Sequence, residues 1–367
     1  MAKYLIVGAD VHENHVTVKW AVDQGDSRTD SFGMTSSGQR KMISTLKKEA
    51  TKAGADQIEF AYEACCMGFG LYDNLTEASI GCHILAPTKM KRSSGQSLEK
   101  WDERDAQEIL EIMKGYLLAG NSLPEVWIPD HKTRQDRLVL RRRLDLSDKR
   151  TSVKAQIDMV LKKAQVKRPE EIKQKWTKVY MTWLEGICDP EAGVLQHGSI
   201  LTLESKLREL RMLEEEIEIQ DHNIRTLARD ERYREATREL CKLRGVRVLT
   251  AMVFLTEVGD MTRFQNRKQI AAYFGIVPSI HETGEDCDRK GHITKQGSSR
   301  VRKVLCQASW CRTSVDPAYD RIVAKNPKNK KIALVALMRR LAIRMWHIAR
   351  DVQERTGCFK APEPTLN

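Results

Sequence analysis

A chain of 367 residues with 31% charged residues and a mean hydropathy of −0.49 is long enough for two or three domains and too polar for an integral membrane protein. No stretch approaches the roughly 18 consecutive apolar residues that cross a bilayer, and residues 1–10 lack a secretory signal, so we expect a cytoplasmic protein with no membrane partner. Nine cysteines without a C-x-x-C pair predict neither a zinc knuckle nor a disulfide framework.

Alternating apolar and polar residues predict a mixed sheet at the start of the chain. The predicted strands are Tyr4–Val11, Val16–Val22, a third near Asp30–Thr35, Gln57–Glu63 and Cys82–Ala86. The first two form a hairpin around the turn His12–His15, and a helix from about Gln39 to Lys52 precedes the fourth strand. Three successive strands followed by alternating helices and strands predict an α/β domain with helices packed on the sheet.

Four acids recur at comparable places in this N-terminal part. Asp10 lies at the end of the first strand, Glu63 ends the fourth, and Asp102 and Asp105 open a later helix, where a spacing of three puts them on one face. An acidic first turn is also favoured by the helix dipole, which is the alternative for the last two. A carboxylate after an apolar strand is costly to bury unless it is paired or binds metal, and such oxygen ligands suit Mg²⁺ or Mn²⁺. The four acids together predict a metal site in which they converge within a few ångströms.

The middle of the chain is predicted to be helical. Helical periodicity runs from Leu138 to about Lys167 and is stopped by Pro169. Beyond it, Trp176, Tyr180 and Trp183 have helical spacing, and we expect core packing rather than base stacking for these rings.

A second long helix is predicted from an apolar stripe with spacings of three, four and seven. Its members are Leu203, Leu207, Leu210, Leu213, Ile217, Ile224 and Leu227. Such a stripe is covered by another helix in a coiled coil, formed either with its own chain or with a second protomer.

Basic charge is concentrated near the C-terminus. Residues Arg289–Arg350 contain 16 Lys or Arg against only two acids, a local balance of +14 that exceeds the +12 of the whole chain. A one-signed stretch of this length is typical of phosphate-backbone binding, although a merely basic helical surface is the alternative. Lys330–Ile348 is predicted to be a final amphipathic helix with basic residues on its polar side, followed by a frayed tail from Gly357.

Upstream of this stretch, the segment Leu243–Val258 has the pattern of a helix-hairpin-helix, in which a glycine turn offers backbone N–H groups to a phosphate. Gly245 provides the first glycine, but Arg247 stands where the second is usual. The match is therefore weak, although an arginine side chain could make the same contact.

The four acids resemble the D…E…D-x-x-D set of the ribonuclease-H-like, RuvC-like nucleases. More narrowly, the chain resembles, along effectively its whole length, the DEDD transposases of the insertion-sequence-110 family, relatives of the pilin-gene invertases. The resemblance is carried by Val7–Val11, Tyr62–Ala64, Lys100–Ala106, Ala271–Pro278 and Gly291–Arg302. Trp101 departs from the family, in which that position is more often small and polar.

The resemblance implies a fold of class α/β plus α in three parts. Residues 1–130 would form the RuvC-like DEDD domain, 131–235 a long helical, coiled-coil middle, and 236–355 a mainly helical, basic transposase domain that starts with the helix-hairpin-helix-like segment. It also implies a homo-oligomer, a dimer or tetramer, in which the stripe Leu203–Leu227 would contact a second protomer.

The activity implied by the resemblance is Mg²⁺-dependent (or Mn²⁺-dependent) DNA transposition. Asp10, Glu63, Asp102 and Asp105 would hold the metal, and a hydroxyl of the third part would attack the scissile phosphate. Relatives carry the nucleophilic serine where this chain has Thr283, with Ser298 and Ser299 as alternative hydroxyls. The implied partners are donor DNA, target DNA and a structured guide, or bridge, RNA.

Two other classes of protein share parts of this pattern. A Holliday-junction-resolvase-like metal nuclease would use the same acids with water as the nucleophile. A non-catalytic nucleic-acid-binding protein would need the basic surface alone.

Overall fold

The computed structural model describes residues 2–90, 102–280 and 290–358. The chain divides into two compact units, Met1–Ile128 and Pro129–Asn367. The first boundary lies close to the predicted one at 130, whereas the further division at 235 stays a prediction. In the described ranges, every helix is too short or too polar to span a bilayer.

The first unit is built on a mixed five-stranded sheet. Its strands are β1 (Tyr4–Val11), β2 (His15–Val22), β3 (Arg28–Gly33), β4 (Gln57–Glu63) and β5 (Gly81–Leu85). They lie in the order β3-β2-β1-β4-β5, in which β1 pairs antiparallel with β2 and parallel with β4. The predicted mixed α/β sheet is thus confirmed. The third strand ends before Thr35 because the Thr35 hydroxyl accepts a hydrogen bond from the Gly38 N–H and caps the next helix.

Helices cover both faces of this sheet. Helices α1 (Ser36–Ala53) and α2 (Gly70–Glu77) pack on one face, and α3 (Asp102–Ala119) packs on the other; a short 3₁₀ helix spans Pro87–Lys89. Side chains alternate along β1, so Leu5, Val7 and Ala9 face α1 and α2, while Ile6 faces α3. Every residue from Leu5 to Ala9 is buried, which makes β1 the central strand.

The second unit is mostly helical. Its elements are α4 (His131–Lys163), α5 (Lys178–Gly186), a 3₁₀ helix at Pro190–Ala192, α6 (His197–Leu227), α7 (Glu231–Cys241), α8 (Val248–Val258), α9 (Arg267–Tyr273), β6 (Pro278–Ile280), β7 (Lys290–Ile293), α10 (Ser299–Trp310), α11 (Pro317–Lys325) and α12 (Lys330–Thr356). Helix α4 begins earlier than its apolar periodicity predicted, because the Asp130 carboxylate accepts a hydrogen bond from the Thr133 N–H and caps it.

The apolar stripe of α6 is covered by α4 of the same chain. The two helices run antiparallel, since Arg143 pairs with Asp221 while Lys154, further along α4, pairs with Glu214 earlier in α6. The stripe residues Leu203, Leu207, Leu210, Ile217 and Ile224 are at most 4% exposed. Our expectation that this stripe contacts a second protomer is therefore wrong, because its apolar area is already removed from water within one chain.

The aromatic residues between α4 and α6 belong to the core, as predicted. Tyr180 is fully buried, and its ring lies 5.4 Å from the rings of both Trp176 and Trp183. Leu184 and Leu207 belong to the same buried cluster. These rings therefore contribute to packing and are not a base-stacking platform.

The last helix, α12, is amphipathic and longer than predicted. Leu337, Leu341 and Met345 are buried, and Arg340 and Arg344 are exposed, as expected. It continues past Ile348 because the side chain of Gln353 is buried and accepts a hydrogen bond from the Met261 N–H at 2.8 Å. The predicted tail lies largely outside the described residues.

Candidate functional site

Asp10 and Glu63 occupy neighbouring positions at the carboxyl ends of two parallel strands. Ala9 of β1 pairs with Tyr62 of β4, and each acid is the next residue on its strand. Ile6 and Ala61 both pack in the core beneath α3. Because side chains alternate, Asp10 shares the face of Ile6, and Glu63 shares the face of Ala61. Both carboxylates therefore belong to the sheet face that α3 covers.

Helix α3 approaches this face closely at Gly8, two residues before Asp10. A Cβ atom on Gly8 would lie 2.3 Å from the Ala106 carbonyl oxygen and 2.4 Å from the Leu110 backbone nitrogen. Only glycine permits such contact between the two backbones. The first turn of α3, which carries Asp102 and Asp105, is thereby brought to the end of β1.

Two histidines of the β1–β2 hairpin connect these acids. His12 Nε2 lies 3.0 Å from Asp10 Oδ2 and 3.3 Å from Asp102 Oδ1, so the two carboxylate oxygens are at most 6.3 Å apart. His15 Nε2 lies 3.1 Å from Asp102 Oδ2. The sequence pattern alone does not assign either histidine to the site, although two imidazoles in the turn directly after Asp10 are the signal that it offers.

The environments of Asp10 and Asp102 shift their pKa values in opposite directions. Burial raises the pKa of Asp10; the charge and hydrogen bond of His12 oppose this, and the nearby charges of Asp105 and Asp102 add to it. The pKa of the more exposed Asp102 is lowered, chiefly by its hydrogen bond with His15. A half-buried carboxylate that is repelled by two others is the kind of group that a divalent cation stabilises.

The donor set of this centre suits a divalent cation. Among the residues that the structure describes, His12, His15 and Asp102 form the one set of three ligand atoms that all lie within 4.8 Å of one another. Among these described residues, the carboxylates of Asp10, Glu63, Asp102 and Asp105 do not form such a set. Asp105 is close enough to act on the charge of Asp10, and the convergence of all four acids stays a prediction.

The proposed nucleophile Thr283 lies outside the described residues. Of its two alternatives, Ser298 caps α10, since its hydroxyl accepts a hydrogen bond from the Val301 N–H at 3.4 Å. Ser299 is the first residue of α10 and is exposed. The Ser298 oxygen therefore has a structural partner within its own helix.

The segment with the helix-hairpin-helix pattern forms a basic groove within the second unit. Helix α7 ends at Cys241, α8 begins at Val248, and Gly245 has φ +85° in the turn between them. The groove has a volume of about 690 Å³, and its lining includes Arg225, Lys242, Arg244 and Arg247. The last three are exposed. A concave surface of this charge is suited to a phosphate.

A separate charged cluster in the first unit surrounds His83 of β5. His83 Nε2 lies 3.0 Å from Glu59 Oε2, and Nδ1 lies 3.0 Å from Glu125 Oε1. Burial lowers the pKa of His83, but hydrogen bonds to Glu125 and Glu59 and their charges outweigh it and raise the pKa to about 9. The imidazole is therefore charged at neutral pH and joins β5 to β4 and to the segment after α3.

We predict that this ion triad makes stability depend on pH. The folded pKa of about 9 exceeds the unfolded value of 6.5, so the contribution is complete below pH 6.5 and is lost as the pH rises through 9. His83→Gln should cost about 2 kcal/mol at pH 6, after allowance for solvent screening, and little at pH 10. Urea unfolding of both proteins at the two pH values measures the difference. An equal cost at both values would contradict the charged state of His83.

Two family models match this chain, one in each half of the sequence. Residues 7–165 match the transposase domain model of the DEDD, IS110 type, and residues 237–324 match the model described as transposase IS116/IS110/IS902 family. A predicted transposase of Sinorhizobium fredii is 29% identical over 82% of this chain and 78% of its own. The transposase of insertion sequence element IS1533 from Leptospira borgpetersenii is 25% identical over 97% and 98%.

A shorter match is with a gene-inverting protein. The pilin gene-inverting protein of Moraxella bovis is 27% identical over 30% of this chain and 36% of its own length. Three findings agree with one another. The two family domains occur in the expected order, one transposase matches this chain along nearly its whole length, and acids line an edge of the sheet in the first unit. The chain belongs to the IS110 family of transposases, enzymes that recombine DNA.

Proposed function

We propose that the protein cuts and rejoins DNA at a divalent-metal centre held by Asp10, Glu63, Asp102 and Asp105. The observation that carries the proposal is that the carboxylates of Asp10 and Asp102, far apart in sequence, both contact Nε2 of one histidine. When bound, Mg²⁺ or Mn²⁺ would polarise the scissile phosphate and stabilise charge on the attacking and leaving oxygens. The acids position that ion and offset its charge.

The nucleophile in this proposal is the hydroxyl of Thr283. Its oxygen forms a bond to phosphorus, the bond from phosphorus to a deoxyribose oxygen breaks, and the hydroxyl proton ends on the released deoxyribose oxygen. One phosphodiester is thus exchanged for another, and the bond energy is conserved for rejoining. The threonine methyl group stiffens χ1 and crowds the approach to phosphorus, so a slower reaction than with serine is expected.

The proposal includes donor DNA, target DNA and a structured guide RNA as partners, in a homo-oligomeric assembly. The basic stretch at the C-terminus and the groove at the α7–α8 turn support a polyanionic partner. Base pairing by the RNA would select the sites. Sequencing the DNA that flanks the gene tests the guide, since a non-coding end with stable stem-loops that match the target core is expected.

Trapping the covalent intermediate tests the nucleophile. Full-length protein is incubated with labelled donor DNA and guide RNA in Mg²⁺, and the adduct is mapped by mass spectrometry. Thr283→Ser should preserve or raise the adduct yield, and Thr283→Ala should abolish it. An adduct that persists in Thr283→Ala would move the assignment to Ser298 or Ser299.

The same assay separates the two rival functions. DNA cleavage without any protein adduct, retained in Thr283→Ala, would indicate a resolvase-like nuclease that uses water. DNA binding with neither cleavage nor adduct in any variant, and unchanged by substitution of the acids, would indicate a non-catalytic binding protein.

We predict that the groove at the α7–α8 turn contributes to nucleic-acid binding. Arg247→Glu should raise the Kd for DNA by about tenfold and reduce the slope of log K against log salt by about one, because one phosphate contact is lost. Fluorescence anisotropy with labelled DNA at several salt concentrations measures both. Arg208→Glu, an equal charge change at an exposed position on α6, is the matched control. Equal effects of the two substitutions would show only a general dependence on net charge.

A further inference from the structure

The turn of the β1–β2 hairpin places two imidazoles against one carboxylate of the candidate centre. The rings of His12 and His15 are stacked, with centroids 4.9 Å apart and planes at 24°. Each contacts a different oxygen of Asp102: His12 Nε2 lies 3.3 Å from Oδ1, and His15 Nε2 lies 3.1 Å from Oδ2. Both histidines are thus anchored on the same acid.

These separations match the edges of a metal coordination sphere. Neighbouring ligands on an octahedral ion with bonds of about 2.1 Å lie about 3.0 Å apart. The N···O separations here are 3.0–3.3 Å, and the ligand atoms of His12, His15 and Asp102 all lie within 4.8 Å of one another. Their side chains are 38–45% exposed, so an ion can enter from solvent without opening the core.

The nitrogen donors change which metal the centre favours. Mg²⁺ prefers oxygen ligands, whereas imidazole nitrogen suits first-row transition ions, whose affinity for mixed nitrogen and oxygen sites exceeds that of Mg²⁺. A site of four carboxylates alone would discriminate little in this way. Two histidines at its rim therefore give this chain a ligand set of different chemistry from the acids assigned above.

We propose that His12, His15 and Asp102 form a nitrogen-containing metal position beside Asp10, which makes the centre bind Mn²⁺ and similar transition ions more tightly than Mg²⁺. The inference rests on the proposed function, because Asp102 is shared between the two ligand sets. The competing explanation is that the histidines only donate hydrogen bonds that orient the acids, and this explanation predicts no nitrogen on the metal.

Binding of Mn²⁺ to the full-length protein tests the proposal without any activity measurement. The signal of free Mn²⁺ in electron paramagnetic resonance gives the affinity, and pulsed measurements show whether nitrogen is coupled to the bound ion. Wild type should show nitrogen coupling and a Kd for Mn²⁺ at least about tenfold below that for Mg²⁺, which is measured by competition. His15→Ala should weaken Mn²⁺ binding by about tenfold or more and change Mg²⁺ binding far less.

Controls keep the outcomes distinct. His222→Ala, which removes an exposed histidine of α6, should leave both affinities unchanged, and circular dichroism checks that each variant is folded. Absence of nitrogen coupling in wild type, or unchanged Mn²⁺ affinity in both His12→Ala and His15→Ala, would overturn the inference while leaving the carboxylate centre intact. Retained nitrogen coupling, with Mg²⁺ binding and DNA cleavage both unaffected by Asp105→Asn, would support the inference and contradict the proposed function instead.

Discussion

Asp10→Asn is expected to lower DNA strand cleavage by about 10³-fold, because an amide cannot replace the carboxylate charge that holds a divalent cation against the scissile phosphate. The substitution keeps the shape of the side chain and its contact with His12. Cleavage of labelled donor DNA by the full chain, with guide RNA and Mg²⁺, measures the effect. Asp26→Asn, at an exposed acid in the β2–β3 turn of the same unit, should retain full activity.

The same substitution should not destabilise the fold. Burial raises the pKa of Asp10, and the charges of Asp105 and Asp102 repel its carboxylate. Removal of the charge therefore relieves both the cost of burying it and the electrostatic repulsion. In metal-free buffer the thermal midpoint of Asp10→Asn should equal or exceed that of wild type. Loss of activity together with a lower midpoint would mean that Asp10 is needed for folding, and would contradict its role as a metal ligand.

Gly8→Ala is expected to lower the free energy of unfolding by about 3 kcal/mol or more, and Gly8→Val by more still. The added Cβ would lie 2.3 Å from the Ala106 carbonyl oxygen and 2.4 Å from the Leu110 nitrogen. Both atoms belong to the backbone of α3, so relief requires displacement of the whole helix rather than rotation of a side chain. Urea unfolding of the full chain measures the cost.

Gly33→Ala is the matched control for this effect. Gly33 is also a strand residue of the first unit, but a Cβ there would meet its nearest atom at 3.9 Å, which is ordinary contact. Its substitution should change stability by less than about 1 kcal/mol. If Gly8→Ala folds at low temperature, the displaced α3 should carry Asp102 and Asp105 away from Asp10, so DNA cleavage should fall as well. Normal stability and cleavage in Gly8→Ala would refute the close approach of α3 to β1.

Local sequence patterns were sufficient to predict the elements of the first unit. A strand buried on both faces shows a continuous apolar run, as at Leu5–Ala9, and an acid directly after it stands out because a lone buried carboxylate is costly. The sequence also predicts the start of α3 at Asp102, because acids are favoured in a first helical turn. The sequence does not predict the ends of β3 and α12 correctly. A helix cap determines the end of β3, and a long-range hydrogen bond determines the end of α12.

The sequence by itself therefore determined the mixed sheet, the long helices, the acids at the strand ends and the family to which the chain belongs. The tertiary structure alone decided that α4 covers the stripe of α6, since periodicity shows which face of a helix is buried but not which surface buries it. It also brought His15 to Asp102, 87 residues away. Half-exposed polar side chains leave no periodic signal in the sequence. The contact between His15 and Asp102 can therefore be identified only when the strands and α3 are packed together.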